Sequence, residues 1–403
     1  MTPRATLLSG IVVLLLATAA GLFYLRSTGE NFQASTAATT PTSTYASSTY
    51  ASSTYASSTY ASSTYASSTY ASSSKLQTSN TTRSTTVTQP PGCQHNIAPI
   101  FTRPFTNATM IQFVYPLGGI STGSPARSYV FVKTAPNGSH LFVPVYAPVN
   151  MTLQGITYAY RNYGPLGARP EYRLDFQATC EVFLTFDHVP TVEGWIASLG
   201  PSVPANNTRT GVYVSVPVQA GELLGYTDGT RVAGSWDFMV LNHAKPAFHV
   251  NDSRWTSDQY RYGDCPYDYF TGDVKATYYT LLSASGTTTT PLCGKVSRDV
   301  AGTIAGGWFQ GNSTTAQGSR LMVGKFLNYI EIVVSQTSGP LFDIRDYRSV
   351  VDPATVTVGQ SVCYSDGASY AYFDLVSQLS MRAATGTGGC PAQLPSQYQV
   401  WNR

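Results

Sequence analysis

VPVYAPVNMTLQGI, Val143 to Ile156, sets two short apolar runs on either side of a break at Pro148 and Asn150. VQAGELLGYTDGT, Val218 to Thr230, repeats the texture around Gly221 and Gly229. Comparable β-branched and aromatic runs cover Met110 to Val114, Tyr129 to Lys133, Leu141 to Tyr146, Glu181 to Phe186, Gly211 to Val216, Trp236 to Leu241, Tyr329 to Ser335 and Ala371 to Val376. Gly, Pro, Asn and Asp punctuate them, and such spacing predicts an all-β protein of sandwich or barrel type. Outside an apolar N-terminal segment, no window of helical length carries an apolar stripe at helical spacing.

Upstream of Pro90-Pro91 the texture is different. Thr6 to Leu25 is an uncharged stretch of 20 residues between Arg4 and Arg26, enough to cross about 30 Å of hydrocarbon as a helix. Residues 1–26 read as a signal-anchor that makes the chain a single-pass protein of the cell membrane with its C-terminal part outside. A cleavable signal ending near Ala17-Thr18-Ala19 would instead make it secreted. Residues 27–92 are rich in Ser and Thr, and TYASS recurs so that Tyr45, Tyr50, Tyr55, Tyr60, Tyr65 and Tyr70 lie five apart. That period builds no continuous face on a helix or a strand. With nothing to bury, the segment reads as a disordered or O-glycosylated stalk.

Composition supports export. The chain has 403 residues, of which only 11% are charged, and its net charge of +3 excludes a basic nucleic-acid footprint. Seven Asn-x-Ser/Thr sequons, at Asn80, Asn107, Asn137, Asn150, Asn206, Asn251 and Asn312, predict a glycosylated surface. The six cysteines Cys93, Cys180, Cys265, Cys293, Cys363 and Cys390 contain no CxxC, which removes the zinc-ribbon and thioredoxin readings. They predict three disulfides in an oxidising space. The connectivity is open, with pairing of sequence neighbours as the expectation. Residues 93–255 are read as one β domain and 256–403 as a second, β-rich one.

Two phrases carry a resemblance to a family. VPVYAPVNMTLQGI is similar to the "GTPVYAPADGTV" strand of lysostaphin-type (LytM-like) zinc endopeptidases, and VQAGELLGYTDGT to their "V..GQ.IG..G.TG" turn. FLTFDHV, Phe183 to Val189, stands in place of "YAHL", and GSWDFMV, Gly234 to Val240, in place of "GPHLHFEV". Over roughly 130 residues the four phrases keep the family's order. The resemblance implies a duplicated-hybrid-motif β fold, and in active members a zinc held by HxxxD and HxH motifs that activates a water. Here ARSYVFVKTAP offers no HxxxD, and Ser235-Trp236-Asp237 replaces HxH. His188 matches a catalytic position of the family, and Asp237, with His140 recruited from a loop, could at most stand in as metal ligands. Asp187 alternates to the opposite sheet face from His188. Trp236, with Ser235, lies where the site strand of the family runs, and is read as lining a ligand groove.

Missing ligands weigh more than matched strands, because strands specify a fold and ligands a reaction. The sequence therefore reads as a membrane-anchored extracellular glycoprotein whose peptidase-like module is catalytically degenerate, without a cofactor, and serves binding or cell-envelope architecture. Its partners would be the membrane and an envelope glycan or another surface protein. The rival reading is an active zinc-dependent endopeptidase acting on cell-wall or peptide substrates with a rearranged site.

Overall fold

A computed structural model of the chain describes residues 92–403 apart from 120–123, 206, 288–289, 316–317, 328, 336–341 and 347–350. The expected anchor, the stalk up to Pro91, and the sequons at Asn80 and Asn206 lie outside the described residues. Among the described residues no helix is long and apolar enough to cross a membrane.

The protein is mostly β, in three antiparallel sheets, one of them curled into a half-barrel. Its first eleven strands are β1 (Ile111–Val114), β2 (Arg127–Val132), β3 (Val143–Tyr146), β4 (Met151–Asn162), β5 (Ala168–Gln177), β6 (Val182–Val189), β7 (Thr191–Val192), β8 (Arg209–Val218), β9 (Leu223–Thr227), β10 (Ser235–Asn242) and β11 (Gly263–Asp264). The large sheet runs β1-β2-β10-β6-β5-β4-β8, with β11 on β10, and the small one runs β3-β9-β7. The two quoted phrases lie side by side. Val143 faces Thr227 across β3 and β9, and Met151 faces Val218 across β4 and β8. Gly225 sits in this junction because a side chain there would meet the Thr191 carbonyl oxygen at 2.2 Å.

Alternation sorts each strand. In β10, Trp236, Phe238 and Val240 enter the core while Ser235 and Asp237 take the other face. Phe105, Phe176, Phe186, Val145 and Leu224 complete that core, each fully buried apolar side chain being worth about 1.5–3 kcal/mol. The core does not stop at residue 255. Cys265, Tyr267, Phe270, Tyr278, Leu282, Cys293 and Val296 belong to it, whereas the next core begins at Ile304. A smaller cluster joins Trp255 and Tyr260 to Phe309, Met322 and Val333.

A helix at Gly272–Ser283 was not expected. It buries only Tyr278 and Leu282, one turn apart, so its apolar stripe is too thin to recognise. Packing supplies what periodicity lacks. The Tyr278 ring stacks on Phe105 at 4.8 Å and meets Phe270 at 5.0 Å, and the Cys265–Cys293 disulfide brackets the helix.

The third sheet contains β12 (Gly306–Phe309), β13 (Arg320–Phe326), β14 (Tyr329–Ser335), β15 (Phe342–Asp346), β16 (Ser361–Ser365), β17 (Ser369–Ser377), β18 (Ser380–Thr387) and β19 (Gln399–Asn402). Its order is β15-β14-β13-β12-β19-β18-β17-β16, around a core with Trp308, Phe373 and Trp401. The cysteines pair as sequence neighbours, Cys93–Cys180, Cys265–Cys293 and Cys363–Cys390. Three such bonds are the mark of an extracellular or otherwise oxidising compartment.

Candidate functional site

The face of the large sheet opposite the core carries charges where β2, β10, β6, β5 and β4 lie next to one another. Asp237 of β10 pairs directly with Asp187 of β6, so two carboxylates stand opposite on one face. Like charges so placed repel, and a cation must lie between them. Arg127 of β2 provides it. Its Nη1 donates to Asp237 Oδ2 at 2.6 Å and lies 3.8 Å from Asp187 Oδ2.

His188 reaches the same face through an irregularity. Tyr172 faces Val189 and Leu174 faces Phe186, so Asp187 and His188 together oppose the single residue Arg173. The extra residue is a β-bulge, the device that re-aims a side chain within a ladder. His188 takes the left-handed conformation, with φ 65°, at a cost of about 1–3 kcal/mol. The strained turn is held by bonds on either side. The His188 amide donates to Asp187 Oδ1 at 2.8 Å, and Thr227 Oγ1 donates to the His188 carbonyl at 2.6 Å. Strict alternation, which would separate Asp187 from His188, fails here because of the bulge.

From these residues grows a closed ring of alternating charge. Arg161 of β4 donates through Nη2 to both oxygens of Asp187 at 3.1 Å and sits 3.1 Å from Glu171 of β5 through Nε. Glu171 accepts from His188 Nδ1 at 2.7 Å, and His188 Nε2 faces Asp237 Oδ2 at 3.6 Å. Asp237, Arg127, Asp187, Arg161, Glu171 and His188 thus follow one another around the ring. Arg169 extends it from Glu171 to Asp228, at 3.1 and 2.7 Å. Glu171 is 0% exposed, Asp237 1% and Asp187 3%, so the carboxylates depend on these cations for their solvation.

Titration follows the neighbours. Burial alone would raise the Asp187 pKa, yet His188, Arg161 and Arg127 together hold it well below the usual carboxylate range. Glu171 is likewise lowered despite its burial, by His188, Tyr163 and Arg161. Burial would lower His188, but Asp187, Asp237 and the Glu171 bond outweigh it and raise its pKa. The stabilisation from His188 is therefore complete below its ordinary value of 6.5 and is lost as pH rises through the higher folded value. That from Asp187 and Glu171 is present above their ordinary 3.8 and 4.5 and is lost as pH falls through the lower folded values. The ring should be most stabilising between these limits. Urea midpoints measured across pH are expected to fall on the alkaline side of 6.5, and His188→Gln should flatten that limb. An unchanged limb in the variant would remove His188 from the account.

The other expected site residues lie elsewhere. His140 is outside the Asp187, His188 and Asp237 group, whose ligand atoms all fall within 4.8 Å of one another. It packs against Gly234, where an added Cβ would meet its ring at 2.6 Å. Burial lowers its pKa, with Asp228 raising and Arg169 lowering it. Trp236 does not line a groove. Asp237 occupies the charged face, so its neighbour must enter the core, where Trp236 is 0% exposed and its ring lies 5.5 Å from Phe105 and 5.8 Å from Phe186. Ser235 is buried too. The residues that sequence reading missed are Arg127, Arg161, Arg169 and Glu171.

A catalytic zinc needs three protein ligands and an open position. Asp187, His188 and Asp237 supply donor atoms of the right chemistry, but the guanidinium of Arg127, 2.6 Å from Asp237 and 3.8 Å from Asp187, stands where the metal would lie. The residues as arranged do not fit a zinc centre. Compared with protein-family models, with curated proteins and with solved structures, the chain matches none.

Proposed function

We propose that the chain is a membrane-anchored extracellular glycoprotein whose first β unit is a peptidase-like module without metal chemistry, used for binding or for cell-envelope architecture. The observation that carries this reading is the position of Arg127, 2.6 Å from Asp237 and 3.8 Å from Asp187. A positive charge there opposes a divalent ion and ties up the carboxylates that a hydrolytic site would use. The disulfides support the compartment, and the apolar segment Thr6 to Leu25 supports the attachment. Partners of matching chemistry are an envelope glycan or a second surface protein. The test is hydrolysis of peptide and cell-wall substrates by the purified protein with added zinc. No turnover is expected, and turnover abolished by a chelator would favour the endopeptidase instead.

The sequons support the glycoprotein part. In Asn107, Asn137 and Asn251 the side-chain Oδ1 accepts both the backbone N–H and the hydroxyl of the residue two further on, Thr109, Ser139 and Ser253. At Asn150 the Oδ1 instead accepts from the Ala220 amide, and Thr152 lies in β4 opposite Pro217 of β8. Glycopeptide mass spectrometry of protein from its native membrane is expected to find sugar on Asn107, Asn137 and Asn251 at higher occupancy than on Asn150. Bare asparagines at all three would remove the glycoprotein reading.

A further inference from the structure

The ring of charge has the parts of a metal site, with one of its cations built into the chain. His188 Nδ1 is bonded to the buried Glu171, which leaves Nε2 directed at Asp237. A carboxylate on the far nitrogen is the usual support of a metal-bound histidine, fixing its tautomer and orientation. Asp187 and Asp237 bring one oxygen each to the same space, all ligand atoms lying within 4.8 Å. Donors about 2.1 Å from a tetrahedral metal lie about 3.4 Å apart, and the His188 to Asp237 distance of 3.6 Å is already close to that. Oδ1 of Asp237 is buried with no hydrogen-bond partner, in a residue 1% exposed. Such an atom is costly in a folded protein unless it serves something. The group that stands in the way is the Arg127 guanidinium, which comes from a different strand, bonds Asp237 at 2.6 Å and lies 3.8 Å from Asp187.

We infer that Arg127 is a resident cation at a three-ligand metal position formed by Asp187, His188 and Asp237, and that removing it converts the ring into a divalent-metal site. The inference stands on these distances and not on the peptidase-like reading. Arg127 fills the position without coordinate bonds. It is held by Asp237 Oδ2, which lies 3.6 Å from His188 Nε2, whereas a divalent ion would be shared between these two atoms and an oxygen of Asp187. Arg161 and Glu171 stay in place to orient Asp187 and His188. Loss of one guanidinium therefore removes the competitor and keeps the supporting bonds.

The experiment titrates zinc and cobalt into the purified full-length chain and into Arg127→Ala, Arg127→Lys and the double variant Arg127→Ala with Asp237→Asn. Readouts are calorimetric binding, the visible absorption of bound cobalt, and the melting temperature. Arg127→Ala is expected to bind at least about a hundredfold more tightly than the parent protein, equivalent to about 2.7 kcal/mol, and its melting temperature should rise with metal. Arg127→Lys keeps a cation and should resemble the parent, and the double variant should lose the gain. Should Arg127→Ala fail to fold in chelator, it is refolded with zinc, and recovery with zinc alone supports the inference. Equal affinity in the parent and Arg127→Ala, a gain that survives Asp237→Asn, or no recovery with zinc overturns it. Hydrolytic assays are scored separately, so that binding without turnover leaves the proposed function standing.

Discussion

Replacing Glu171 by glutamine is expected to destabilise the protein by about 3–5 kcal/mol, the usual cost of removing one member of a buried ion network. No other carboxylate of the ring carries as much. Glu171 is 0% exposed and stands 3.1 Å from the Nε of both Arg161 and Arg169 while accepting from His188 at 2.7 Å, with the Tyr163 hydroxyl as a further donor. Glutamine has almost the same shape, so no cavity forms and the change isolates charge. It would leave three cationic side chains with one fewer anion, in a place where water cannot replace it, and its amide N–H groups would face donors. The ring would lose the group that joins its Asp187 side to its Asp228 side. Urea denaturation followed by tryptophan fluorescence measures this as a fall in midpoint at unchanged slope. A loss below about 1 kcal/mol, as for a solvated surface pair, would show that the network is not dry.

The strands were legible because they are short and well punctuated. Gly211 to Val216 and Trp236 to Leu241 fall within β8 and β10, and Leu141 to Tyr146 overlaps β3 from Val143 onward. The neighbour pairing of cysteines was likewise expected. The helix Gly272–Ser283 was missed because its stability comes from rings in other segments, above all Phe105. The site was less legible than the fold. Which face His188 takes depends on a bulge set by the register of β5 on β6, and register is a property of two strands and not of one. Trp236 was given a groove because the resemblance sets it on the site strand, whereas alternation with Asp237 sends its ring into the core. A signal for the missed ring was nonetheless present. Arg169, Glu171, Arg173 and Asp175 recur at every second position of one strand in a chain only 11% charged. Four charges on one face of a central strand call for partners on the strands beside it, here Arg161 and Asp187.

Replacing Asp299 by alanine should be as damaging, by about 3–5 kcal/mol, for a different reason. Asp299 is 5% exposed and lies between the two cores, past Val296 of the first and before Ile304 of the second. Its Oδ2 accepts the Val250 amide at 2.9 Å, from the segment that follows β10, and its Oδ1 accepts the Gly307 amide at 2.8 Å in β12. One carboxylate thus satisfies a backbone group on each side, and bonds to a charged acceptor are worth about 1.5–3 kcal/mol each. The surroundings leave no substitute. Trp255 packs so closely on Gly307 that a side chain there would meet its ring at 2.4 Å, and Trp255 itself is stacked on His249 at 4.0 Å and edge-on to Phe309 at 5.4 Å. Arg403, whose guanidinium lies 4.1 Å over Trp308, would also lose the charge of Asp299. Asparagine keeps one acceptor but presents N–H groups to the other amide, so Asp299→Asn should cost roughly half as much. Because the joint and not either core is weakened, Asp299→Ala should also separate thermal unfolding into two transitions where the parent protein shows one. Calorimetry decides it: one transition displaced by less than about 1 kcal/mol of stability would mean that the apolar contacts of Trp255, Phe309 and Met322 hold the two sheets together without this carboxylate.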